Sequence, residues 1–188
     1  KVGFTESQLQ TGGYVIKTTL EKKNQDAAVR AMDARGPKKT PDNFQQALVS
    51  IRPGTGEIVA LYGGKDYLVK QLNGATQSIT QAGSSFKPFA LVAALEQGIP
   101  LSSIWSGKSP QVFDDFGKPY PVFNYSNEQE KEINLTYATA HSINTVYVPL
   151  GIAAGLENVV DVARRAGIPT SVALMPTPSI SLGVASPH

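Results

Sequence analysis

A layered α/β fold is what this 188-residue sequence predicts, on three observations. Two apolar runs, residues 45–52 and 57–63, are joined by Pro53-Gly54-Thr55-Gly56, the chemistry of a hairpin with a proline-initiated turn. The second run holds Val59, Ala60, Leu61 and Tyr62, apolar on both faces of a period-2 strand, so it is expected to be covered on both sides. Further on, residues 86–95 are apolar around the whole helical circumference, which predicts a core helix.

In chain order, the β-branched run Tyr14-Val15-Ile16-Lys17-Thr18-Thr19-Leu20 reads as a short strand. Residues 21–34 suit a helix ended by Gly36-Pro37, and 37–43 form a polar loop before the hairpin. The core helix 86–95 has Gly98 as its stop and Pro100 beyond it. Residues 105–127, rich in Ser, Gly, Pro and Asp, read as a long irregular excursion of the kind that often edges a site. Asn134 can cap a helix running to about His141, and an apolar pattern restarts over 145–150, which places Ser142-Ile143-Asn144 at a break between two helices. Leu156, Val159, Val160 and Ala163 give one more amphipathic helix, closed by Gly167 and Pro169.

The composition, 41% hydrophobic and 17% charged, is that of a globular protein large enough to bury one sizeable core, so one domain or most of one is expected. A net charge of +2 gives no electrostatic footprint for nucleic acid, and Lys22-Lys23, Lys38-Lys39 and Arg164-Arg165 are scattered pairs that read as solvated faces. The chain has no cysteine, which rules out disulfides and thiolate metal sites and leaves the compartment open. No run approaches the roughly 18 apolar residues of a membrane helix, and Lys1-Val2-Gly3-Phe4 opens nothing like a signal peptide, so any anchor is expected to lie outside this chain. No cofactor motif is found: Gly63-Gly64-Lys65 runs into Asp66 without the Ser/Thr of a phosphate loop. Metal chemistry is not expected either, because His141 and His188 are isolated and Asp114-Asp115 reads as a turn.

The residues that carry chemistry are Ser84-Ser85-Phe86-Lys87, which follow Gln81-Ala82-Gly83 and open the core helix. Residues at i and i+3 share a face, so the Lys87 amine is expected within hydrogen-bond reach of the Ser84 hydroxyl. A serine hydroxyl needs a neighbouring base to act as a nucleophile. A lysine supplies one only if its pKa is depressed, which burial at the mouth of an apolar helix and the partial positive charge of the helix start both promote. Pro88 lacks the N–H that would bond back to Ser84, so an irregular first turn is expected. With fifteen serines and twelve lysines, chance supplies about one Ser-x-x-Lys, and the segment alone reads equally well as a serine cap with a snorkelling lysine. Ser142-Ile143-Asn144 is the second element: Ser142 can relay a proton, and the Asn144 amide can donate to and accept from a substrate amide. Its ordinary reading is that Ser142 ends one helix and Asn144 caps the next.

These segments resemble a known family. Gly83-Ser84-Ser85-Phe86-Lys87-Pro88-Phe89 is similar to the Ser-x-x-Lys segment of penicillin-binding proteins, and Ile133 to Ala138 through Ser142-Ile143-Asn144-Thr145-Val146-Tyr147-Val148 to the segment carrying that family's Ser-x-Asn. The resemblance runs from about Tyr14 onward. Residues 49–64 and Asn73-Gly74-Ala75-Thr76 are similar to the bifunctional, class A branch, whose glycosyltransferase domain precedes the transpeptidase domain.

The resemblance implies a β-lactamase/transpeptidase-like fold of the α+β type, an antiparallel sheet covered by helices plus a helical subdomain carrying the site, truncated here. Residues 1–13 would be a linker or domain edge and 14–188 the incomplete transpeptidase domain. It implies an exported, membrane-tethered D-alanyl-D-alanine transpeptidase of peptidoglycan synthesis, without a cofactor, whose partners are stem peptides and β-lactam antibiotics. In that scheme Ser84 is acylated, Lys87 takes its proton, Ser142 passes the proton to the leaving group and Asn144 holds the substrate amide. The sequence departs from the pattern in having Ala82 where proline is usual and Gly74 where arginine is usual. The family's third motif, Lys-Thr/Ser-Gly, is not reached before Ser186-Pro187-His188, while Lys17-Thr18-Thr19 precedes Ser84 and lacks the glycine. With that wall of the cleft missing, this polypeptide alone is expected to be inactive. A serine β-lactamase or a non-catalytic β-lactam sensor would share Ser84, Lys87 and Asn144. The class A β-lactamases add a glutamate that positions a deacylating water, and here Glu157 lies on an amphipathic helix whose solvated face is its ordinary place.

Overall fold

The computed structural model describes residues 3–41 and 44–184; Asp42 and Asn43 at the end of the polar loop, and His188, lie outside the described residues. Every strand pair is antiparallel and the strands are segregated from the helices, so the class is α+β. The chain divides into two compact units, 1–79 and 80–188.

In the first unit, α1 (Glu6–Thr11) is a short turn closed by a capping box between Thr5 and Gln8. Helix α2 (Lys22–Arg35) ends at Gly36, as its sequence predicts. Strands β1 (Leu48–Ile51) and β2 (Ile58–Tyr62) form the predicted hairpin, with Leu48 opposite Tyr62 and an irregularity at Ser50/Ile51. Val59 and Ala60, on opposite faces of β2, are both buried, in keeping with a strand covered on two sides.

The expected strand at 14–20 is absent: Val15 and Ile16 are 89% and 67% exposed and no ladder forms. Only its end approaches β2, where Thr19 Oγ1 donates to the Ile58 carbonyl (2.7 Å) and the Glu21 N–H donates to that of Val59 (3.0 Å). Gln25 of α2 then takes the next pair of backbone groups, its amide accepting from the Leu61 N–H and donating to the Leu61 carbonyl, both at 2.9 Å. A side chain has occupied the edge that a further strand would need.

The second unit is built around α5 (Asn144–Ala154), apolar on all sides and buried along most of its length. Packed against it are α3 (Lys87–Glu96), α4 (Leu135–Ala140), α6 (Leu156–Arg165), set at 92° to α5, and a 3-10 turn, Pro178–Leu182. Phe86, Ala90, Ala93, Leu135, Ala138, Val146, Tyr147, Leu150, Val159 and Ile180 belong to one core. Helix α3 is less enclosed than predicted, since it buries its alanine face while Val92 and Leu95 stay 40% and 43% exposed. Small side chains let the backbones approach and leave the larger ones on the outer face.

The excursion is also more regular than predicted. Its neck is β3 (Ile104–Ser106) paired with β6 (Glu132–Asn134), and inside it β4 (Gln111–Asp115) pairs with β5 (Lys118–Val122). Asp115 faces Lys118 across a two-residue turn in which Phe116 and Gly117 both have positive φ (52° and 81°), the geometry that matches strand twist. Asp114 accepts from the Gly117 N–H (3.2 Å), which agrees with the turn reading of the aspartate pair. Arg164, expected on a solvated face, instead donates to the carbonyls of Ile168 (3.2 Å), Pro169 and Val172 (2.7 Å), holding the segment that follows α6.

Candidate active site

Two helix boundaries in the second unit make the site. The first is the lead-in to α3, where Gly83–Phe86 forms a 3-10 turn and the Lys87 N–H donates to the Ser84 carbonyl. Pro88 sits in the first turn of α3, where its missing N–H has no intrahelical partner to lose, so the irregular start expected from the sequence is found. In a 3-10 turn residues i and i+3 eclipse one another, which stacks exposed Ser84 and buried Lys87 on one face.

The second boundary is the break between α4 and α5. Asn134 caps α4 by accepting from the Tyr137 N–H (2.8 Å). At the other end, the Ile143 N–H reaches back to the Ala138 carbonyl (2.9 Å) and the Ser142 N–H to that of Thr139 (3.2 Å), the paired closure of a Schellman motif. Ser142 fills the left-handed position of that motif with φ 56°, a place that glycine usually takes. Holding a serine there stores on the order of 1 kcal/mol or more of backbone strain.

Lys87 joins the two boundaries. It is 4% exposed, and Nζ donates to the Ser142 carbonyl (2.5 Å), Ser142 Oγ (2.9 Å) and Asn144 Oδ1 (2.7 Å). These three bonds use all the protons of an ammonium group. The Tyr147 ring lies 5.2 Å away, and its hydroxyl is within 2.8 Å of Thr139 Oγ1. Burial lowers the Lys87 pKa to about 8, because no carboxylate compensates the desolvated charge.

The sequence-predicted residues are therefore only partly joined. Lys87, Ser142 and Asn144 form one hydrogen-bonded cluster, whereas no hydrogen bond links Ser84 Oγ to Lys87 among the described residues. Asn144 is not a cap: the N-cap of α5 is Ile143, and the Asn144 Nδ2 donates instead to the Phe123 carbonyl (2.8 Å). That bond orients the amide, leaving its oxygen to Lys87 and one Nδ2 proton unengaged. Phe123 and its neighbour Asn124 went unrecognised in the sequence, because an asparagine inside a proline-rich excursion carries no periodic signal. Glu157 stands exposed on the first turn of α6 with no hydrogen-bond partner among the described residues. His141 is stacked on Tyr137, ring centroids 3.9 Å apart.

A desolvated lysine one 3-10 turn after an exposed serine, tied to a Ser-x-Asn break in an α+β fold, fits a domain of the transpeptidase type. The chain belongs to the penicillin-binding protein transpeptidase domain family, whose model matches residues 46–177. Its curated relatives include penicillin-binding protein 1A of Aquifex aeolicus, 31% identical over 189 residues, and penicillin-binding protein 1A of Mycobacterium tuberculosis, 38% identical over 170 residues. These alignments cover 93% and 88% of this chain but only 26% and 19% of the relatives, so the chain spans about a quarter of their length or less. Among solved structures it is similar to the penicillin-binding protein PonA1 from Mycobacterium tuberculosis, with TM-score 0.83 and 34% identity over 97% of this chain and 48% of that one. The same protein in complex with penicillin V gives a TM-score of 0.80 at 34% identity, covering 96% and 49%. The relatives place the chain with class A penicillin-binding protein 1A homologues, and the fold is that of the β-lactamase/transpeptidase group.

Proposed function

We propose that the protein of which these residues form a part is a serine D-alanyl-D-alanine transpeptidase, with residues 14–188 as the N-terminal portion of its catalytic domain. The observation that carries the reading is Lys87, a buried amine with a pKa lowered to about 8, stacked one 3-10 turn after an exposed serine. In its neutral form Lys87 accepts the Ser84 proton as Ser84 Oγ attacks the carbonyl of the penultimate D-alanine of a stem peptide. The C–N bond to the terminal D-alanine breaks, an ester forms on Ser84, and the departing amine takes up a proton. Ser142 is suited to deliver it, since its hydroxyl contacts Lys87 Nζ and serves as acceptor or donor. An amine from a second stem then attacks the ester, an amide cross-link forms, and Ser84 regains its proton. Asn144 uses its remaining Nδ2 proton to hold the substrate amide carbonyl.

A β-lactam would acylate Ser84 in place of the stem peptide. The β-lactamase alternative lacks support, because Glu157 is exposed and, among the described residues, bonded to nothing that would aim it at a deacylating water. No Lys-Thr/Ser-Gly follows Ser-x-Asn in this sequence, and a strand bearing it, outside these residues, would complete the oxyanion hole; the 188-residue piece alone is expected to be inactive. Stem-peptide substrates place the enzyme on the outer face of the bacterial plasma membrane, with its anchor also outside these residues. Among the described residues no single helix is long and apolar enough to cross a membrane.

Incubating the full-length protein with benzylpenicillin should add the mass of one penicillin, persisting over hours, on the peptide containing Ser84. Ser84→Ala should lose the adduct and Ser85→Ala should keep it. An adduct on any other serine would overturn the site, and rapid hydrolysis of the drug would overturn the transpeptidase assignment.

A further inference from the structure

Helix α5 has Ile143 at its N-cap, whose side chain cannot cap it, yet the first-turn donor Thr145 N–H is not left bare. The acceptor comes from another element: Asn124 Oδ1 takes both the Thr145 N–H and the Thr145 hydroxyl, each at 3.0 Å. Asn124 is itself buried and fully engaged. Its Nδ2 donates to the carbonyls of Gly107 (3.0 Å) and Glu128 (3.1 Å), and its N–H to Ser109 Oγ (3.0 Å). Gly107 belongs to the neck of the excursion, where its N–H donates to the Lys131 carbonyl at 2.8 Å. One side chain thus fastens the excursion to the first turn of α5. On one side of this joint is Phe123, whose carbonyl orients Asn144; on the other is Thr145, the residue after Asn144.

We propose that Asn124 is a positioning residue for the Ser142/Asn144 break, acting as a cap delivered from the excursion that fixes the Asn144 amide and, through it, the cradle of Lys87. A buried asparagine with every donor and acceptor satisfied is rigid, and loss of its oxygen would leave two buried donors of α5 unpaired. The first turn of α5 would then move relative to the Phe123 carbonyl. A displacement of about 1 Å in a catalytic array is enough to slow chemistry up to about 100-fold.

The kinetic arm of the test rests on the transpeptidase reading; a second arm does not. In the full-length protein, Asn124→Ala should slow acylation by benzylpenicillin about 10- to 100-fold. Combining it with Asn144→Ala should give little further loss, because both act through one amide. Thr145→Val, which removes one of the two bonds to Asn124 and preserves shape, gives the same cycle in milder form if Asn124→Ala does not fold. Independently of any acylation, the NMR titration midpoint of 15N-labelled Lys87 should rise in Asn124→Ala or Thr145→Val as water enters the loosened cradle. An unmoved midpoint, or losses that multiply in the double variants, overturns the positioning role. A wild type that takes no penicillin while its Lys87 midpoint still responds would defeat the transpeptidase reading and leave the positioning role standing.

Discussion

Lys87 bears a pH signature that differs from that of an ordinary surface lysine. Its pKa falls from 10.5 in the unfolded chain to about 8 in the fold, by burial. Between those values the unfolded state binds the extra proton, so stability rises with pH across about 8 to 10.5, and below 8 the charged form is held against its desolvation. In the proposed mechanism acylation needs the neutral amine, so its rate should climb with pH through a midpoint near 8. Lys87→Met should lose about 100-fold or more of that rate while removing the pH dependence of melting over the same window, which stopped-flow acylation and calorimetry would check. Ser142 is tested by a pair of variants. Ser142→Ala removes the hydroxyl and keeps the left-handed backbone, whereas Ser142→Gly removes the hydroxyl and relieves the strain. Both should slow acylation equally, with the glycine variant more stable than the alanine variant by about 1 kcal/mol in denaturant titration. That Ser84 and Lys87 share a face could be read in the sequence from their spacing at a helix start, and that Ser142 and Asn144 stand at a helix break from the two apolar patterns that flank them. That Lys87 bonds to Ser142 and Asn144 and not to Ser84 could not, because those partners lie 55 and 57 residues away and only packing decides the distance.

Among the elements, helices α2 to α6 were legible and the excursion was not, and the difference is physical. Helix stops such as Gly36 and Gly98 and the Asn134 cap act through neighbours a few residues away, so local sequence reports them. The β4–β5 hairpin hides behind Pro119 and Pro121, which argue against a strand. Both prolines are tolerated because they alternate with Lys118, Tyr120 and Val122, so their missing N–H groups fall on one edge of a two-stranded ribbon with no third strand to serve. The run at 14–20 fails in the opposite sense, having strand composition but finding its edge already taken by Gln25. A second long-range contact is testable at this scale. Gly183 ends the 3-10 turn Pro178–Leu182 with φ 66°, and a Cβ there would lie 2.3 Å from the Gly83 carbonyl oxygen and 2.6 Å from its nitrogen. Since Gly83 precedes Ser84, Gly183→Ala should both destabilise the protein, by about 1–3 kcal/mol, and slow acylation. A melting shift without any change in acylation rate would sever that turn from the proposed role of Ser84.

For the molecule as a whole, the question is whether stability resides in its core or in its charges. Five ion pairs are present among the described residues, joining Lys22 to Asp26, Arg52 to Glu21 and Glu57, and Arg165 to Glu96 and Asp161, and both partners of every pair are at least 42% exposed. Exposed pairs of this kind are screened by salt and spend side-chain entropy, so even the two-carboxylate contact of Arg165 is a weak restraint. Leu150 is the contrary case, fully buried on α5 in the core that also holds Phe86, which ends the 3-10 turn before Lys87, and Tyr147 of α5. Truncating it leaves a void in close-packed surroundings, for which the lost transfer energy and the cavity together cost about 2–5 kcal/mol. Leu150→Ala should therefore lower the melting temperature by several degrees or more, and on warming the fraction of molecules able to form the penicillin adduct should fall in step with unfolding. Arg165→Ala should melt with the wild type in both low and high salt. Should Arg165→Ala prove the more damaging of the two, the fold would depend on its surface charges, and the account of α5 as the support of the site would be wrong.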